Sequence, residues 1–451
     1  MRDDTAAKSE VSRVAQGGIT AFIVYGAGIA LTYFSQLIVA RIVGIESYGF
    51  YAYVFAWITI LVYFSSLGFD IGLLRFIPAY EAVRAWPLVR GVIQYSHRWV
   101  AITSIAVALA GAFVAWRSAI PAELKTTFFA GFALLPILAL LRLRCSVVRA
   151  FGGVTLAIAP DRIVREGVLI TVLGITSLLF GWTIDAPLAM LALIVGCSVG
   201  LGCANLAERK LRPPNLEVVT GTYDAPAWRR AALPLMIIGA AEALMNRAGV
   251  IMLGWFADTK DAGIFSLAFS ISLAVTLPRI AVNTLFAPTV SSLHAHDEKA
   301  SIQMLVNRAT AWTLCAGGAI ALILFIIAEP LLSWFGPGYE VGVPALRILL
   351  VAQVIAASAG SQVYVMTMTG HERTAALLLV FGTITNLVAT ALLIRSHGMT
   401  GAAVATLLTL VAWNTAMAYV IWRRLDLMPG VLGLSGPSQA GKASSIKTSL
   451  S

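Results

Sequence analysis

The sequence predicts an all-α polytopic membrane protein of about twelve transmembrane helices, in two six-helix lobes related by a parallel repeat. Three observations carry that reading. Apolar residues fill 59% of the 451 positions and charged residues only 12%, half the roughly 25% charge of a soluble domain. The apolar residues come in runs of about 20, the length a helix needs to cross the hydrocarbon layer. The remaining charges are sorted by side. With the N-terminus placed in the cytoplasm, 25 of the 32 Lys and Arg fall on the cytoplasmic side and six outside, with Arg247 inside a span. That is the positive-inside asymmetry for a chain with both termini cytoplasmic. The net charge of +10 therefore reports topology and implies no nucleic-acid partner.

The runs are centred near residues 28, 59, 107, 135, 172, 197, 243, 273, 318, 356, 385 and 410. Before the first, Asp3, Asp4 and Glu10 are mixed with Arg2, Lys8 and Arg13. That mixture and a run long enough to span read as an uncleaved signal-anchor. Residues 1–206 form the N-terminal six-helix lobe. The longest polar interruption, 207–230 (AERKLRPPNLEVVTGTYDAPAWRR), contains Pro213, Pro214 and Pro226 and reads as a cytoplasmic linker. Residues 231–424 form the second six-helix lobe, and the Ser-, Gly- and Lys-rich 425–451 reads as a disordered cytoplasmic tail. Outer loops are short, the widest being about 329–345. Cys145, Cys197, Cys203 and Cys315 form no CxxC pair, so packing is their expected role.

A short pattern recurs at the first outer hairpin of each half. Residues 40–53 read ARIVGIESYGFYAY and residues 254–269 read GWFADTKDAGIFSLAF. Placing Gly49 over Gly263, an offset of 214, sets Tyr51 on Phe265, Phe55 on Phe269 and Glu46 on Lys260. Both halves begin on the same side, so the repeat is parallel, with its axis along the membrane normal. Transporters built this way carry substrate between the halves and alternate access by rocking them.

The stretches SQLIVARIVGIESYGFYAYVFA (35–56) and SSLGFDIGLLRFIPAY (65–80) resemble the start of bacterial polysaccharide flippases, which move lipid-linked oligosaccharides. These belong to the multidrug/oligosaccharidyl-lipid/polysaccharide exporter superfamily. The resemblance rests on Ala40, Arg41, Gly44, Tyr48, Gly49 and Tyr51, then Asp70, Gly72, Arg75 and Phe76. The chain departs from the pattern at Ser65-Ser66, ahead of Leu67-Gly68, where an acidic residue is more usual. The resemblance implies two lobes around a central cavity in the bacterial inner membrane. It implies translocation of a polyprenyl-pyrophosphate-linked oligosaccharide for polysaccharide or O-antigen synthesis. A glycan polymerase and glycosyltransferases are then the expected pathway partners, and no enzyme activity is expected.

Charged groups at mid-membrane cost about 2.5–3.5 kcal/mol on insertion scales, so they face a cavity or a partner. The seventh span, LPLMIIGAAEALMNRAGVIMLGW, places Gly239, Glu242, Asn246 and Gly249 on one face, with Arg247 beside it. The eighth carries Ser272, Thr276, Arg279 and Asn283 at helical spacing, and the first carries Thr32, Ser35 and Gln36. An anionic headgroup calls for Arg, which binds phosphate bidentately and stays charged when desolvated. Arg247 is the leading candidate, with Arg75 and Arg279 toward the cytoplasmic mouth. Asn246, Asn283, Gln36, Gln353, Gln362 and Asn386 are candidates for sugar hydroxyls. Glu242, Asp70 and Glu166 are candidates to carry a coupling ion, proton or sodium. A plain structural reading stands beside each: a Glu242–Arg247 pair, a snorkelling Arg75, carboxylates paired with arginine.

Two motifs mislead. GPSQAGK (436–442) fits a phosphate-binding loop, but Ala443 follows where magnesium needs Ser or Thr, so no nucleotide cofactor is expected. His294 and His296, beside Asp297 and Glu298 in SSLHAHDEKAS, read as an exposed loop, and no metal is expected. The rival functions are a drug exporter of the same superfamily, a membrane glycan polymerase or ligase, and a non-transporting scaffold. Short outer loops and few histidines weigh against the polymerase or ligase.

Overall fold

A computed structural model describes residues 24–180, 184–295 and 298–434. Among them there is no strand, as lipid demands of a chain that is not a closed barrel. The helices, in order, are α1 (Val24–Val43), α2 (Ile45–Ser65), α3 (Phe69–Ala82), α4 (Trp86–Arg117), α5 (Ala122–Ala150), α6 (Val154–Ala159), α7 (Arg165–Phe180), α8 (Ala186–Leu211), α9 (Asn215–Val218) and α10 (Ala225–Phe256). Then come α11 (Thr259–Ser272), α12 (Leu277–Ala295), α13 (Lys299–Ile326), α14 (Ala328–Ser333), α15 (Val343–Ser358), α16 (Gln362–Met368), α17 (Glu372–Leu425) and α18 (Val431–Leu434). Ten stretches are long and apolar enough to cross a membrane. One of them, α17, is two helices joined at Gly398, whose φ of 52° and ψ of −129° break the helix. The α6–α7 stretch, which carries Asp161, Arg162, Arg165 and Glu166, is helical but is not one of the ten. Each of the twelve predicted centres falls within this helical set.

Several hydroxyls inside the spans are satisfied locally. Thr59 Oγ1 donates to Phe55 O at 2.7 Å and Ser65 Oγ to Leu61 O at 2.7 Å; Thr383 Oγ1 donates to Leu379 O at 2.9 Å. Each hydroxyl bonds a carbonyl one turn back, which lets it enter lipid without a distant partner. Prolines shape the rest. Pro160 opens a π-helical turn, Pro160–Val164, between α6 and α7. Pro278 has no N–H for the carbonyl four residues earlier, and the chain tightens into a 3₁₀ turn at Leu273–Thr276. The stripe expected from Ser272 through Asn283 is therefore not one continuous α-helical face.

The chain forms two compact units. One contains the residues through Leu267 together with Leu332–Gly342; the other contains Ala268–Leu331 and the residues from Val343 onward. In the first, α5 packs along α2, α4 and α8, and α10 lies on α2 and α3. The polar segment after α8 is docked onto α4. Arg90 Nη1 donates to Val219 O at 2.7 Å and Leu216 O at 3.2 Å, Thr222 N donates to Pro87 O at 2.9 Å, and Trp228 Nε1 donates to Tyr80 Oη at 3.0 Å. Glu208, buried at the end of α8, is shared by Arg144 and Arg212. At the opposite ends of these helices Glu123 accepts from Ser47 Oγ at 2.5 Å and from Ala186 N at 3.3 Å.

The second unit is built on Phe286, Val290, Ile302, Val306, Met417 and Ile421. Residues 426–434, assigned by composition to the disordered tail, pack here as well. Asn307 Nδ2 donates to Gly433 O at 2.9 Å, and Gln303 exchanges two 2.8 Å bonds with the Met428 backbone. The side chains of His294 and His296, and residues 436–442, lie outside the described set.

Two left-handed glycines separate conformational strain from steric overlap. Gly68 caps α3 at φ +76°, and a Cβ there would stand 2.1 Å from Ala232 O; Gly152 has φ +82° with nothing within 4 Å. In detergent melts, Gly152→Ala is expected to cost about 1 kcal/mol, the left-handed penalty alone. Gly68→Ala is expected to lower the melting temperature clearly further, because backbone must also move.

Candidate functional site

Two neighbourhoods of charged groups in the first unit have opposite electrostatic character. The first is a neutralised network at the π-helical turn. Arg165 Nη1 bonds Asp161 Oδ1 at 2.7 Å and its Nη2 bonds Glu166 Oε1 at 2.6 Å. Glu166 Oε2 also accepts from Ser35 Oγ of α1 at 2.5 Å. Ser35, Arg165 and Glu166 are all buried. Asp161 and Arg165 are four residues apart, the spacing that sets two side chains on one helix face. Glu166, expected as an ion-coupling candidate, is thus held between a guanidinium and a hydroxyl. Arg162, next in the turn, lies over the Tyr25 ring at 5.6 Å.

The second neighbourhood is not neutralised. Arg247 of α10 is half-buried, with its guanidinium 5.7 Å from the centroid of Phe55. Arg142 of α5, also half-buried, stands 5.1 Å over Tyr63. The groups acting electrostatically on Arg247 are Tyr48, Arg142, Tyr63 and Tyr51: three phenols and a second cation. Neither arginine takes part in any of the ion pairs found among the described residues. The Glu242–Arg247 arrangement weighed from sequence is not among those pairs, and Glu242 is exposed on α10. Tyr48, Tyr51 and Phe55 lie one turn apart along α2, Tyr51 stacking on Phe55 at 6.2 Å and 3°. Tyr51 also feels Glu166 and Arg165, so it joins the two neighbourhoods.

The remaining predicted residues disperse. Asn246 and Gln36 are half-buried. Asp70, in the first turn of α3, is half-buried and lies in the field of Arg142. Arg75 is exposed, in keeping with a snorkelling side chain. In the second unit Arg279 is half-buried. Asn283 Oδ1 accepts from Ser361 Oγ, which brings it next to Gln362, a buried residue whose Oε1 has no partner among the described residues. Gln353 is buried, and Asn386 donates to Thr409 Oγ1 at 3.2 Å between the two arms of α17.

Sequence reasoning passed over Arg142, Arg165 and Asp161 as site residues. The two arginines entered only the count of cytoplasmic charge. The signal for Arg142 lay in LRLRCSVVR, where it falls two residues before Arg144, well inside the apolar run of α5. Pro160 marked the irregular turn that gathers the other two.

No family model matches the chain. A curated relative, "Probable flippase AglR" from Haloferax volcanii, is 28% identical over 188 residues, which take in 40% of this chain and 39% of that protein. Solved structures share the fold over nearly the whole length. An inward-facing multidrug resistance MATE family transporter of the MOP superfamily aligns with a TM-score of 0.76 at 12% identity, covering 93% of this chain and 100% of its own. A MATE transporter from Vibrio cholerae aligns at 0.64 and 16% identity over 94% and 98%. A Pyrococcus furiosus MOP transporter, whose reverse polarity of the binding pocket suggests a different function, aligns at 0.66 and 14% identity over 91% and 95%. These similar proteins are described as transporters or a probable flippase.

The neutralised network yields a stability prediction. Arg165→Met strips the buried Glu166 of its cation, leaves the half-buried Asp161 with Arg162 alone at 3.9 Å, and is expected to cost about 3–5 kcal/mol. The triple change Asp161→Asn, Arg165→Met, Glu166→Gln removes the charges together and is expected to cost less than the single one, as read by thermal melts of purified protein. The fold described above is that of the MATE transporters of the MOP superfamily.

Proposed function

We propose that the protein is a flippase. It moves a polyprenyl-pyrophosphate-linked oligosaccharide from the inner to the outer leaflet of the bacterial cytoplasmic membrane by alternating access, for polysaccharide or O-antigen synthesis. The observation that carries this reading is the Arg142–Arg247 pair: two half-buried cations in each other's field, on aromatic faces, with no ion pair to a carboxylate among the described residues. Arginine cannot discharge itself by losing a proton, and two like charges in a weakly screened interior repel. An anionic ligand relieves both problems. A pyrophosphate offers planar forks of acceptors to both guanidiniums, while Tyr48, Tyr51 and Tyr63 supply hydroxyls and ring faces.

The 188-residue likeness to a probable flippase supports the reading. A drug exporter driven by protons or sodium shares the fold and is the second reading. A Pyrococcus furiosus protein of that fold, whose pocket polarity suggests a different function, supports using polarity to divide the two. A cationic drug would meet repulsion at the arginine pair. In the proposed arrangement both termini are cytoplasmic, the polyprenyl tail stays in the bilayer, and the glycan passes candidates such as Asn246 and Gln36. A glycan polymerase and glycosyltransferases act on the same cargo. Any coupling ion is proton or sodium. Of the three carboxylate candidates, Asp70 lies in the field of Arg142, and we assign coupling to it ahead of Glu166.

Reconstituted in proteoliposomes with a panel of polyprenyl-pyrophosphate glycans, wild type is expected to translocate at least one. Arg247→Ala and Arg142→Ala are each expected to slow it by about tenfold or more, the loss of a charge-assisted contact. Arg247→Lys keeps charge without the planar fork and is expected to fall between. Wild-type export of cationic dyes, with no glycan-lipid movement and no effect of Arg247→Ala, would instead establish the exporter reading.

A further inference from the structure

The two arms of α17, on either side of Gly398, run antiparallel as a hairpin within the second unit. A Cβ on Gly401 would stand 2.2 Å from Leu393 O, Asn386 Nδ2 donates to Thr409 Oγ1 at 3.2 Å, and a Cβ on Gly382 would stand 3.5 Å from Trp413 Cγ. These contacts step down the hairpin in one register, away from Gly398 and toward the open end. Around Gly382 the arms leave a groove walled by Leu378, Phe381 and Trp413. The groove exists because Gly382, Ala412 and Ala416 carry too little side chain to fill the space between those walls. It opens toward lipid. Leu377, Phe381, Ile384 and Val388 form an exposed apolar row beside it, with Phe381 67% exposed.

The open end of the hairpin has the opposite chemistry. Arg373, Arg423 and Arg424 are all exposed there. Arg424 Nη1 donates to Thr374 Oγ1 at 3.1 Å, which ties one arm to the other. Arg423 lies 5.8 Å from the ring centroids of both Tyr419 and Trp422, and its Nε donates to Tyr419 Oη at 3.2 Å. Glu372 and Asp426 stand at the same end, and none of the ion pairs found among the described residues joins them to these arginines. Tyrosine and tryptophan beside arginine settle at the headgroup level of a bilayer. Arginine grips phosphate through its planar fork. The helix rise sets the groove at a fixed depth under these groups. At about 1.5 Å per residue, Ala416 lies about 12 Å and Thr409 about 22 Å along the arm from Arg424. One leaflet's hydrocarbon is about 15 Å deep, beneath a headgroup layer of about 5–7 Å. The groove therefore falls within the acyl chains of a single leaflet.

We propose that the α17 hairpin binds an anionic glycerophospholipid, its phosphate on Arg423 and Arg424 and one acyl chain in the groove around Gly382. With both termini cytoplasmic, as proposed above, the lipid belongs to the inner leaflet. The site is built from the second unit alone and does not depend on what the protein carries. Basic groups beside a span draw anionic lipids in preference to zwitterionic ones. Glycerophospholipid is also the solvent of this face, so by mass action it fills the site unless another lipid binds far more tightly. A lipid held at both ends of the groove spans the two arms, adding a link between them to the Arg424–Thr374 bond.

The test reconstitutes the full chain in phosphatidylcholine vesicles containing a trace of phosphatidylglycerol with a photoactivatable diazirine on its acyl chain. After illumination, labelled peptides are identified by mass spectrometry. Labelling is expected to concentrate on residues 378–385 and 409–416, which line the groove. A phosphatidylcholine probe with the same chain is expected to label them about tenfold less, the loss of a charge-assisted contact. Equal labelling by the two probes, or labelling spread evenly over the exposed helix faces, overturns the proposal. Glycerol phosphate, a phosphate source with no chain, is expected not to compete; competition by it overturns the groove as part of the site. Polyprenyl pyrophosphate that displaces the probe at concentrations where unlabelled phosphatidylglycerol does not also overturns the assignment, in favour of the cargo's own tail. Ala412→Phe, at an exposed position, fills the groove from its lipid side and is expected to cut groove labelling about tenfold by excluding the chain. Arg423→Gln with Arg424→Gln is expected to bring the phosphatidylglycerol probe down to the phosphatidylcholine level. Unchanged labelling in either variant, inserted and monodisperse, overturns the proposal, and the wild-type arms decide it where a variant fails to fold. No transport is measured, so a protein that moves no glycan-lipid sinks the flippase reading and leaves this result standing.

Discussion

A guanidinium keeps its proton at any biological pH, so an arginine inside a membrane-spanning bundle has to be met by something other than discharge. The first unit meets its arginines in two ways. Arg165 receives Asp161 and Glu166 at 2.7 and 2.6 Å and becomes part of the architecture, tying the π-helical turn to α1 through Ser35. Arg142 and Arg247 receive aromatic faces instead. A ring face attracts a cation by about 0.5–2 kcal/mol, enough to orient it but well short of what a carboxylate would supply at the same distance. The second pair is therefore positioned without being neutralised, the condition a binding site for an anion must satisfy.

Much of this was legible in the chain and part was not, and the division follows the range of the interactions involved. Helices announced themselves because lipid leaves the backbone no alternative within a span, so each apolar run had to be helical. Gly49 and Gly263, set over one another by the hairpin pattern, approach closely enough that a Cβ on Gly263 would stand 2.7 Å from Gly49 Cα. Arg247 stood out because it lies in the middle of a run, far from either end. Arg142 did not, since Arg144 and Arg149 follow it on α5 and it was counted with them as a topology signal. Its role is set by Tyr63 on α2 and by Arg247 on α10, neighbours far from it along the chain that periodicity on one helix does not encode.

The same limit explains the two predictions that moved. A face drawn through Ser272, Thr276, Arg279 and Asn283 assumes 3.6 residues per turn, and Pro278 breaks that assumption by removing a backbone donor. The tail was read as disordered from Leu425 because it is rich in Ser, Gly and Lys. Yet Gln303 and Asn307 of α13 each bond its backbone, and backbone groups are present whatever the composition. Composition reports what side chains can bury; it is silent on main-chain amides that find an amide side chain.

The contrast between Glu166 and Asp70 bears on how such a site is driven. A carboxylate that couples an ion to transport must exchange its partner during the cycle, so its interactions in any one state have to be weak enough to exchange. Glu166 accepts two bonds from Arg165 and one from Ser35 while buried, and neutralising it strips Arg165 of one of its two carboxylates. Asp70 is half-buried in the first turn of α3, where the helix N-terminus already favours negative charge and where Arg142 acts through space without an ion pair. Binding an anion at Arg142 would withdraw that support from Asp70 and favour its capture of a cation or proton. In this arrangement cargo and coupling ion would communicate through one guanidinium, with no longer pathway needed to connect them.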